Sequence, residues 1–335
     1  MKTTAVAWPG EAKRNQIAFC HDGVITVFGG TRSDDPRDFT PPAFAAGGYR
    51  IDIDSGAVTP VAAGPAPLMS VPSVVIEVDG RPTGLALGGI GHDGTRMDLS
   101  DRVWAYDFAS DAWSDTELRL PSPRTLFGVT TYDGAVWCFG GWEMDRTRPA
   151  AGGPPLFFTD EVVRIDPSAG TVEVVDSLPR PRRSFGVAVR DGRAFLVGGL
   201  DPGFDYVLEA DTFRFDDRTW GDMTPPLVTR AMADVVEFDG ELVTAAGFVF
   251  GDVPDDGGLA NPFFPALTVD AYDVAADDWR EGPTLAHGEG GSGTRLFRDG
   301  DRLVTWSIDP AGPGRAWIHE LASAESVTER EASDE

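Results

Sequence analysis

Six Asp-Gly pairs, each lying between two mainly apolar runs, recur along the 335-residue chain. They are Asp22-Gly23, Asp79-Gly80, Asp133-Gly134, Asp191-Gly192, Asp239-Gly240 and Asp299-Gly300. Asp-Gly favours the centre of a type I′ β-hairpin, because both central residues adopt φ > 0 and the turn matches the twist of the strands. Successive Asp residues are 57, 54, 58, 48 and 60 positions apart. Repeats of this length indicate a solenoid, a propeller or a repeat array built on six hairpins.

Each hairpin begins a unit of four short strands. The second run usually ends in a glycine pair, and a third and a fourth run follow, as in Gly88-Gly89, Tyr106-Asp107 and Trp113. The runs alternate or are fully apolar, and no helical periodicity is sustained. The sixth unit lacks a fourth run, whereas residues 3–8 form an extra run that ends at Trp8. Joining these two parts closes a ring and removes free sheet edges.

The order Gly-Gly, Tyr-Asp and then Trp resembles the kelch repeat, and Tyr272-Asp273 with Trp279 is a second clear copy. The resemblance covers residues 3–321. It implies an all-β fold, a six-bladed kelch-type β-propeller whose last blade is completed by the N-terminal strand. We therefore predict one propeller domain over residues 1–321 and an acidic, disordered tail over residues 322–335. Kelch propellers include interaction modules, oxidases, sugar mutarotases and plant specifier proteins, so the resemblance leaves the function open.

The composition is strongly acidic. The formal net charge is −26, and only two lysines accompany the arginines. Such a surface repels phosphate backbones and argues against nucleic-acid binding. An acidic, lysine-poor surface is typical of halophilic proteins, although a codon bias that replaces Lys by Arg is an alternative cause.

The chain shows no sequence feature of export or membrane insertion. Its N-terminus has no signal-peptide apolar stretch, and no run approaches the roughly 20 apolar residues of a membrane span. These features predict a cytoplasmic protein without a membrane partner. Cys20 and Cys138 lie in strand-like runs and are interpreted as reduced, buried apolar residues.

In kelch-like propellers, the ligand face is formed by the loops between blades and by the loops that join the second and third strands. The position nine residues before each hairpin Asp marks the first set of loops: Lys13, Ser70, Arg124, Arg182, Arg230 and Gly290. We predict that its cationic members converge on an axial pocket, with the neighbouring Arg183 as a further ligand-binding residue. Arginine suits carboxylate and phosphate groups. In the alternative interpretation, these arginines only tie adjacent loops together.

The second set of loops is long in three blades, over residues 31–50, 142–164 and 248–271. Long loops in compact domains are usually functional or disordered. Aromatic residues in these loops, with one in the corresponding loop of the fourth unit, predict a partly apolar lid over a polar pocket. The ligand-binding candidates among them are Trp142, Tyr206 and Phe248. Alternatively, the aromatic side chains only pin their own loops to the surface.

Four residues of this face are candidates for proton transfer: His287, Glu143, Glu289 and His92. His287 and Glu289 would form a titratable pair near the axis. His92 is a weaker candidate, because it precedes the turn-forming Asp93-Gly94. His21 and His319 are interpreted as structural residues.

Motifs for phosphate loops, zinc, copper, iron and serine nucleophiles are absent from the sequence, so we predict neither a cofactor nor a metal. Two functions remain. The first is a cofactor-free isomerase, lyase or cyclase that acts on a small anionic or polyhydroxylated metabolite, since six-bladed sialic-acid mutarotases are similar in shape. The second is a protein-interaction module that recognises an acidic segment of a partner.

Overall fold

Six four-stranded antiparallel sheets, the blades, make up the protein in the computed structural model. The structure describes residues 1–35, 38–144, 156–203, 205–250, 263–285, 294–309 and 314–323. The first strands of consecutive blades contact one another in a closed ring around the axis. The predicted all-β, six-bladed propeller is confirmed.

Each blade runs from an innermost strand at the axis to an outermost strand at the rim. Blade 1 contains Ile17–His21, Val24–Phe28, Gly48–Asp52 and Val58–Val61, in that order. Blade 2 contains Ser73–Val78, Arg81–Leu87, Arg102–Asp107 and Ala112–Arg119. Blade 3 contains Gly128–Tyr132, Ala135–Phe139, Glu161–Asp166 and Thr171–Ser177.

The remaining three blades follow the same order. Blade 4 contains Gly186–Arg190, Arg193–Val197, Ala210–Arg214 and Trp220–Met223. Blade 5 contains Ala231–Phe238, Glu241–Phe250, Thr268–Asp273 and Asp278–Thr284. Blade 6 contains Thr294–Asp299, Arg302–Ile308, Arg315–Ser323 and the N-terminal strand Lys2–Ala7.

Short accessory elements lie at the end of the propeller that carries the loops between blades, which we call the loop face. They are a hairpin of Ile90–His92 and Met97–Leu99, a ladder of Arg124–Thr125, Trp142–Met144 and Leu156–Phe158, the strand Phe263–Pro265, and a 3-10 helix over Pro41–Ala43. The opposite end carries the Asp-Gly turns, and we call it the hairpin face. Within the described ranges, no helix has the length and apolar character that a membrane crossing needs.

Five of the six Asp-Gly pairs form the predicted hairpin turns. Their Asp residues have φ between 48° and 51°, and the following glycines also have positive φ. The sixth hairpin differs, because Asp299 pairs with Arg302 and the turn is therefore centred on Gly300 and Asp301. Gly300 alone has positive φ there, at 62°. The prediction of an Asp299-Gly300 turn centre was wrong by one residue.

The N-terminal strand closes the ring, as predicted. Lys2–Ala7 pairs antiparallel with the third strand of blade 6, and Thr3 lies opposite His319. The Thr3 hydroxyl and His319 Nδ1 are 3.0 Å apart. Trp8 follows this strand and packs edge-on against Trp306 of the same blade, with ring centroids 5.4 Å apart. The last strand extends to Ser323, two residues beyond the predicted domain boundary, and residues 324–335 of the predicted tail lie outside the described residues.

The glycine pairs allow neighbouring blades to approach closely. Gly30, Gly89, Gly141 and Gly199 each donate a backbone hydrogen bond of 2.8–3.0 Å to a carbonyl oxygen of the next blade. The first glycine of each pair also lies against the backbone of the next blade, with no space for a Cβ. A Cβ on Gly88, whose φ is 65°, would lie 2.2 Å from the carbonyl oxygen of Arg124. Only glycine fits a backbone that is both left-handed and this close to the next blade.

The Tyr-Asp and Trp residues of the repeat also join blades. In blade 5, the Tyr272 hydroxyl donates to Asp277, whose carboxylate accepts a hydrogen bond of 2.9 Å from the backbone of Thr224. The indole of Trp279 donates to the carbonyl oxygen of Thr224 at 2.8 Å. Thr224 directly follows the outermost strand of blade 4, so the motif fastens blade 5 to blade 4. The hydrogen bond from Tyr272 is the main cause that lowers the pKa of Asp277.

We expect Tyr272→Phe to destabilise the fold by on the order of 1 kcal/mol, because it removes a hydrogen bond between a hydroxyl and a carboxylate. The folded-state pKa of Asp277 is lowered, so its contribution to stability is present at neutral pH and is lost as the pH falls through that folded-state pKa. The deficit of the variant should therefore shrink in acid. Urea denaturation at pH 7 and at acid pH measures both effects.

Tyr132→Phe is the matched control. The Tyr132 hydroxyl makes no hydrogen bond with the described residues, and its ring stacks on Phe215 with centroids 4.1 Å apart. An equal loss of stability in the two variants would show that the Tyr272 hydroxyl does not fasten blade 5 to blade 4.

Candidate functional site

An axial cavity of about 530 Å³ is enclosed by the first strands of all six blades. At the loop face its mouth is lined by residues with positive φ: Asn15, Ser70, Leu126, Ser184 and Met232. Backbone hydrogen bonds link neighbouring members, from Ser70 to Asn15 at 2.9 Å and from Ser184 to Leu126 at 2.7 Å. Left-handed backbone in residues other than glycine costs energy and is common at binding sites. We call these five residues the mouth ring.

The structure shows that one of the six positions counted back from the hairpin Asp was assigned to the wrong residue, in blade 2. The carbonyl groups that accept the glycine hydrogen bonds belong to Leu68, Arg124, Arg182 and Arg230, which are therefore equivalent. Blade 2 contributes Leu68 to this position, and Ser70 belongs to the mouth ring. The assignment of Ser70 was wrong because Ser70 of the mouth ring lies nine positions before Asp79 in blade 2, whereas Asn15 lies seven positions before Asp22 in blade 1.

We call the position that contains Leu68, Arg124, Arg182 and Arg230 the ring position, and its three arginines the ring arginines. The ring arginines do not line the axial cavity. Their side chains are 0–1% exposed, and each pairs with a carboxylate on the third strand of its own blade. The pairs are Arg124 with Glu161, Arg182 with Asp211, and Arg230 with Asp270. A buried guanidinium needs such a partner, because desolvating an unpaired charge is costly. The expected convergence on the axis is thus replaced by ion pairs within the blades, and ligand binding by these arginines stays a prediction.

The pair in blade 5 is the most completely enclosed. Both side chains are 1% exposed. Arg230 also donates to the carbonyl oxygen and the hydroxyl of Thr268, at 2.8 and 3.0 Å. Burial lowers the pKa of Arg230 and raises that of Asp270, while their mutual attraction opposes both shifts.

Glu143 lies beside Arg124, on the accessory ladder of blade 3. Its carboxylate accepts a hydrogen bond of 2.9 Å from the Ser122 hydroxyl and lies 3.8 Å from the Arg124 guanidinium. The Glu143 side chain is 28% exposed, so it is accessible from solvent. Nη1 of Arg124 is buried and has no hydrogen-bond partner among the described residues. The structure therefore brings together one predicted proton-transfer residue and one predicted ligand-binding residue.

Aromatic residues from blades 3 to 5 meet on the loop face. The Arg183 guanidinium carbon lies 4.8 Å from the Trp142 ring centroid and 5.5 Å from that of Phe158. Leu200 forms backbone bridges to both Arg183 and Tyr206. The Tyr206 hydroxyl then donates to the carbonyl oxygen of Phe248 at 3.1 Å. We call Trp142, Phe158, Arg183, Tyr206 and Phe248 the aromatic rim.

The aromatic rim adjoins the mouth ring. Nη1 of Arg183 donates to the Ser184 hydroxyl at 3.1 Å, and Thr125, opposite Trp142 in the ladder, donates to the carbonyl oxygen of Ser70 at 2.5 Å. Burial lowers the pKa of Arg183 to about 10, so the group stays cationic at neutral pH. One cation therefore lies next to the entrance of the axial cavity.

The other candidates lie elsewhere. Nδ1 of His92 accepts the Gly94 N–H at 2.9 Å within an exposed turn, and Lys13 pairs with the exposed Asp34. His287 and Glu289 fall outside the described residues.

Neither cysteine is an activated thiol. Burial raises the pKa of both Cys20 and Cys138 to about 12, so their thiols are protonated at neutral pH. Over the described part of the chain, no group of three or more His, Cys, Asp or Glu residues is arranged to hold a metal ion.

The mouth ring is the feature that sequence reasoning missed. Its members are Asn, Ser, Leu, Ser and Met, which share no chemistry. Only their backbone conformation and their place two residues after the ring position unite them. The mouth ring could have been found in the sequence by taking the residue two positions after each ring position, with Leu68 as the ring position of blade 2.

We expect Asp211→Asn to destabilise the fold by about 3–5 kcal/mol, because it leaves the buried Arg182 guanidinium without a carboxylate. Replacing both partners, as Arg182→Met with Asp211→Leu, should cost much less, because no buried charge remains. Denaturant unfolding of the single and double variants measures this difference. Asp222→Asn is the control, since Asp222 lies opposite Asp211 on the next strand and is exposed. A loss for Asp211→Asn no larger than that of the control would contradict the structural importance of the pair.

Comparisons with known proteins indicate the same architecture. No family model matches the chain. Human Kelch-like protein 35 is 39% identical over 88 residues, which are 26% of this chain and 13% of that protein. Kelch-like protein 41b of Danio rerio is 23% identical over 52% of this chain and 27% of that protein. Kelch-like protein 40 of Xenopus tropicalis is 24% identical over 58% of this chain and 28% of its own length. The matches thus cover under a third of these relatives.

The fold also matches a solved structure. The structure of YjhT superimposes with a TM-score of 0.70, covering 94% of this chain and 96% of that one. The two sequences are 15% identical. At that identity, the likeness concerns the fold alone.

Proposed function

We propose that this kelch-repeat propeller binds a small anionic or polyhydroxylated metabolite at the loop-face mouth of its axial cavity. The observation that carries the proposal is the contact between the mouth ring and the aromatic rim, through Arg183 and Ser184. Small-molecule sites combine apolar or aromatic walls with a few placed polar groups, in cavities of about 300–1,000 Å³. The axial cavity, at about 530 Å³, lies within this range.

The chemistry of the mouth suits a ligand with hydroxyl groups and one negative charge. Asn15, Ser70 and Ser184 offer amide and hydroxyl groups for hydrogen bonds to hydroxyls. Arg183 places a positive charge beside them, and in a chain of net charge −26 a local positive potential selects for an anion. Trp142 and Phe158 supply flat apolar surfaces on the same side.

Glu143 is the proposed proton-transfer group, if the metabolite is converted as well as bound. It follows Trp142 of the aromatic rim, and Ser122 and Arg124 fix its carboxylate. A positioned carboxylate is a general base for the removal of a proton next to a carbonyl or a hydroxyl. This role fits the predicted isomerase, lyase or cyclase chemistry without a cofactor.

A thermal-shift screen of sugar acids, with sialic acid as the first probe, tests the binding step. A ligand at 100 times its Kd stabilises the fold by roughly 2.7 kcal/mol. We expect Trp142→Ala and Arg183→Met each to weaken binding by about tenfold or more, because each removes one wall or the charge of the site. Trp142→Phe, which keeps an aromatic wall, is the conservative control.

Two results would contradict the proposal. One is binding that is equally strong in Trp142→Ala, Arg183→Met and the unmodified protein. The other is a response to a glutamate-rich peptide and to none of the metabolites, which would favour an interaction module that recognises an acidic partner.

Glu143→Gln separates binding from conversion. We expect this variant to bind the same sugar acid within about twofold and to lose conversion by about 100-fold or more, since it keeps the shape of the side chain and loses the base. Proton exchange or product formation followed by NMR measures conversion. Conversion at an unchanged rate would show that Glu143 transfers no proton.

A further inference from the structure

A second cavity, of about 510 Å³, lies at the hairpin face between blades 1 and 2. Its walls come from the first hairpin, the start of the second strand of blade 2, and the turn after Asp107. It is therefore at the opposite end of the strands from the mouth ring. The rings of His21 and Phe108, 5.0 Å apart, form its apolar part. We call this space the hairpin-face cavity.

Two arginines of the hairpin-face cavity have no carboxylate partner among the described residues. Arg50 donates to the Tyr106 hydroxyl and the Phe108 carbonyl oxygen at 3.0 and 2.8 Å, and both bonds use Nη2. Its Nε and Nη1 make no hydrogen bond with the described residues. The Arg81 side chain makes no hydrogen bond or ion pair with them either.

Most exposed arginines among the described residues, such as Arg280 and Arg298, pair with carboxylates. Arg193 and Arg218 also lack a carboxylate partner there, but neither lines a cavity with a second such arginine. In a chain with 54 acidic and 28 basic residues, the hairpin-face cavity brings together two arginines that form no ion pair with the described residues.

A buried hydroxyl faces the same space. Thr26 lies opposite Arg50 in the adjacent strand of blade 1 and lines the cavity, although the residue is only 1% exposed. Its hydroxyl has no hydrogen-bond partner among the described residues. Buried polar groups in folded proteins are almost always hydrogen-bonded to protein, water or a ligand. An acceptor inside the cavity would satisfy both this hydroxyl and Arg50.

Two carboxylates limit the charge of the occupant. Asp22 and Asp107 also line the cavity. Hydrogen bonds from the backbone of Ser110 and Ala109 lower the pKa of Asp107, and the charge of Arg81 adds to this effect, so the carboxylate is ionised at neutral pH. These groups repel polyanions and accept hydrogen bonds from hydroxyl groups.

We propose that the hairpin-face cavity is a second binding site, for a small metabolite that bears hydroxyl groups and a single carboxylate or phosphate group. Its carboxylate or phosphate group pairs with Arg50 and Arg81 and accepts a hydrogen bond from Thr26. Its hydroxyl groups donate to Asp22 and Asp107. Arginine recognises carboxylate and phosphate through paired N–H groups, and a cavity of this volume holds a whole metabolite rather than a bare ion.

Calorimetric titration of the full chain with gluconate and with glycerol phosphate tests the site. Glucose, which has hydroxyl groups and no charge, is the ligand control. We expect saturable binding of one or both anions, weakened about tenfold or more by Arg81→Gln. Thr26→Val should weaken it roughly five- to tenfold without lowering the thermal stability, since the two side chains have nearly the same shape.

Arg193→Gln is the matched variant. Arg193 begins the second strand of blade 4, as Arg81 begins that of blade 2, and it lines neither cavity. Binding that survives Arg193→Gln and Trp142→Ala but not Arg81→Gln assigns the anion to the hairpin face, whatever happens at the loop face. Preference for gluconate or for glycerol phosphate identifies the anionic group as carboxylate or phosphate.

Three results would overturn the proposal. They are the absence of saturable binding by both anions, equal affinity for glucose, and equal weakening by Arg81→Gln and Arg193→Gln.

Discussion

Backbone contact between neighbouring blades is the constraint on which the rest of the structure depends. The second glycine of a pair donates its N–H to a carbonyl oxygen of the next blade, as Gly89 does to Arg124 at 3.0 Å. The contact requires positive φ and leaves no space for a Cβ. The backbone of the ring position is thereby fixed toward the neighbouring blade. Two residues later lie the left-handed residues of the mouth ring, whose neighbouring members are joined by backbone hydrogen bonds.

This geometry also decides where the ring arginines go. With their backbone held between blades, Arg124, Arg182 and Arg230 are buried and reach a carboxylate on the third strand of their own blade. Their charge is neutralised locally and adds little to the potential at the axis. The arginines that we propose for ligand binding therefore lie beside the ring or away from it. They are Arg183 at the loop face and Arg50 and Arg81 at the hairpin face.

The features set by local backbone chemistry were predictable from the sequence. Five Asp-Gly hairpins, the glycine pairs, the Tyr-Asp and Trp motif and the closing strand each have a short-range signature. The sixth turn was predicted one residue too early, because Asp299 is held in the strand by its pairing with Arg302. The ring position of blade 2 was misplaced because this blade has two more residues between the mouth ring and the hairpin Asp, which shifts the count from Leu68 to Ser70.

The two binding regions were less accessible to prediction, for a different physical reason. The residue types of the aromatic rim could be read from long loops, and the structure brings Trp142, Tyr206 and Phe248 to one side. The direction of a side chain, by contrast, depends on where its counter-charge lies. Asp211 and Asp270 lie opposite equivalent residues of the second strand, whereas Glu161 lies two residues nearer the loop face in its own blade. The hairpin-face cavity joins strands of two blades, so Thr26, Arg50 and Arg81 share no spacing that a single repeat would reveal.

The closed ring separates the two proposed sites as well as supporting them. The loop-face mouth is lined by residues of blades 1 to 5 and carries the aromatic rim of blades 3 to 5, whereas the hairpin-face cavity is built by blades 1 and 2 at the other end of the strands. Among the described residues, none lines both cavities. Effects of substitutions at distant sites without shared partners are usually additive. A closed ring of six blades therefore allows two anions to be recognised independently at its two ends.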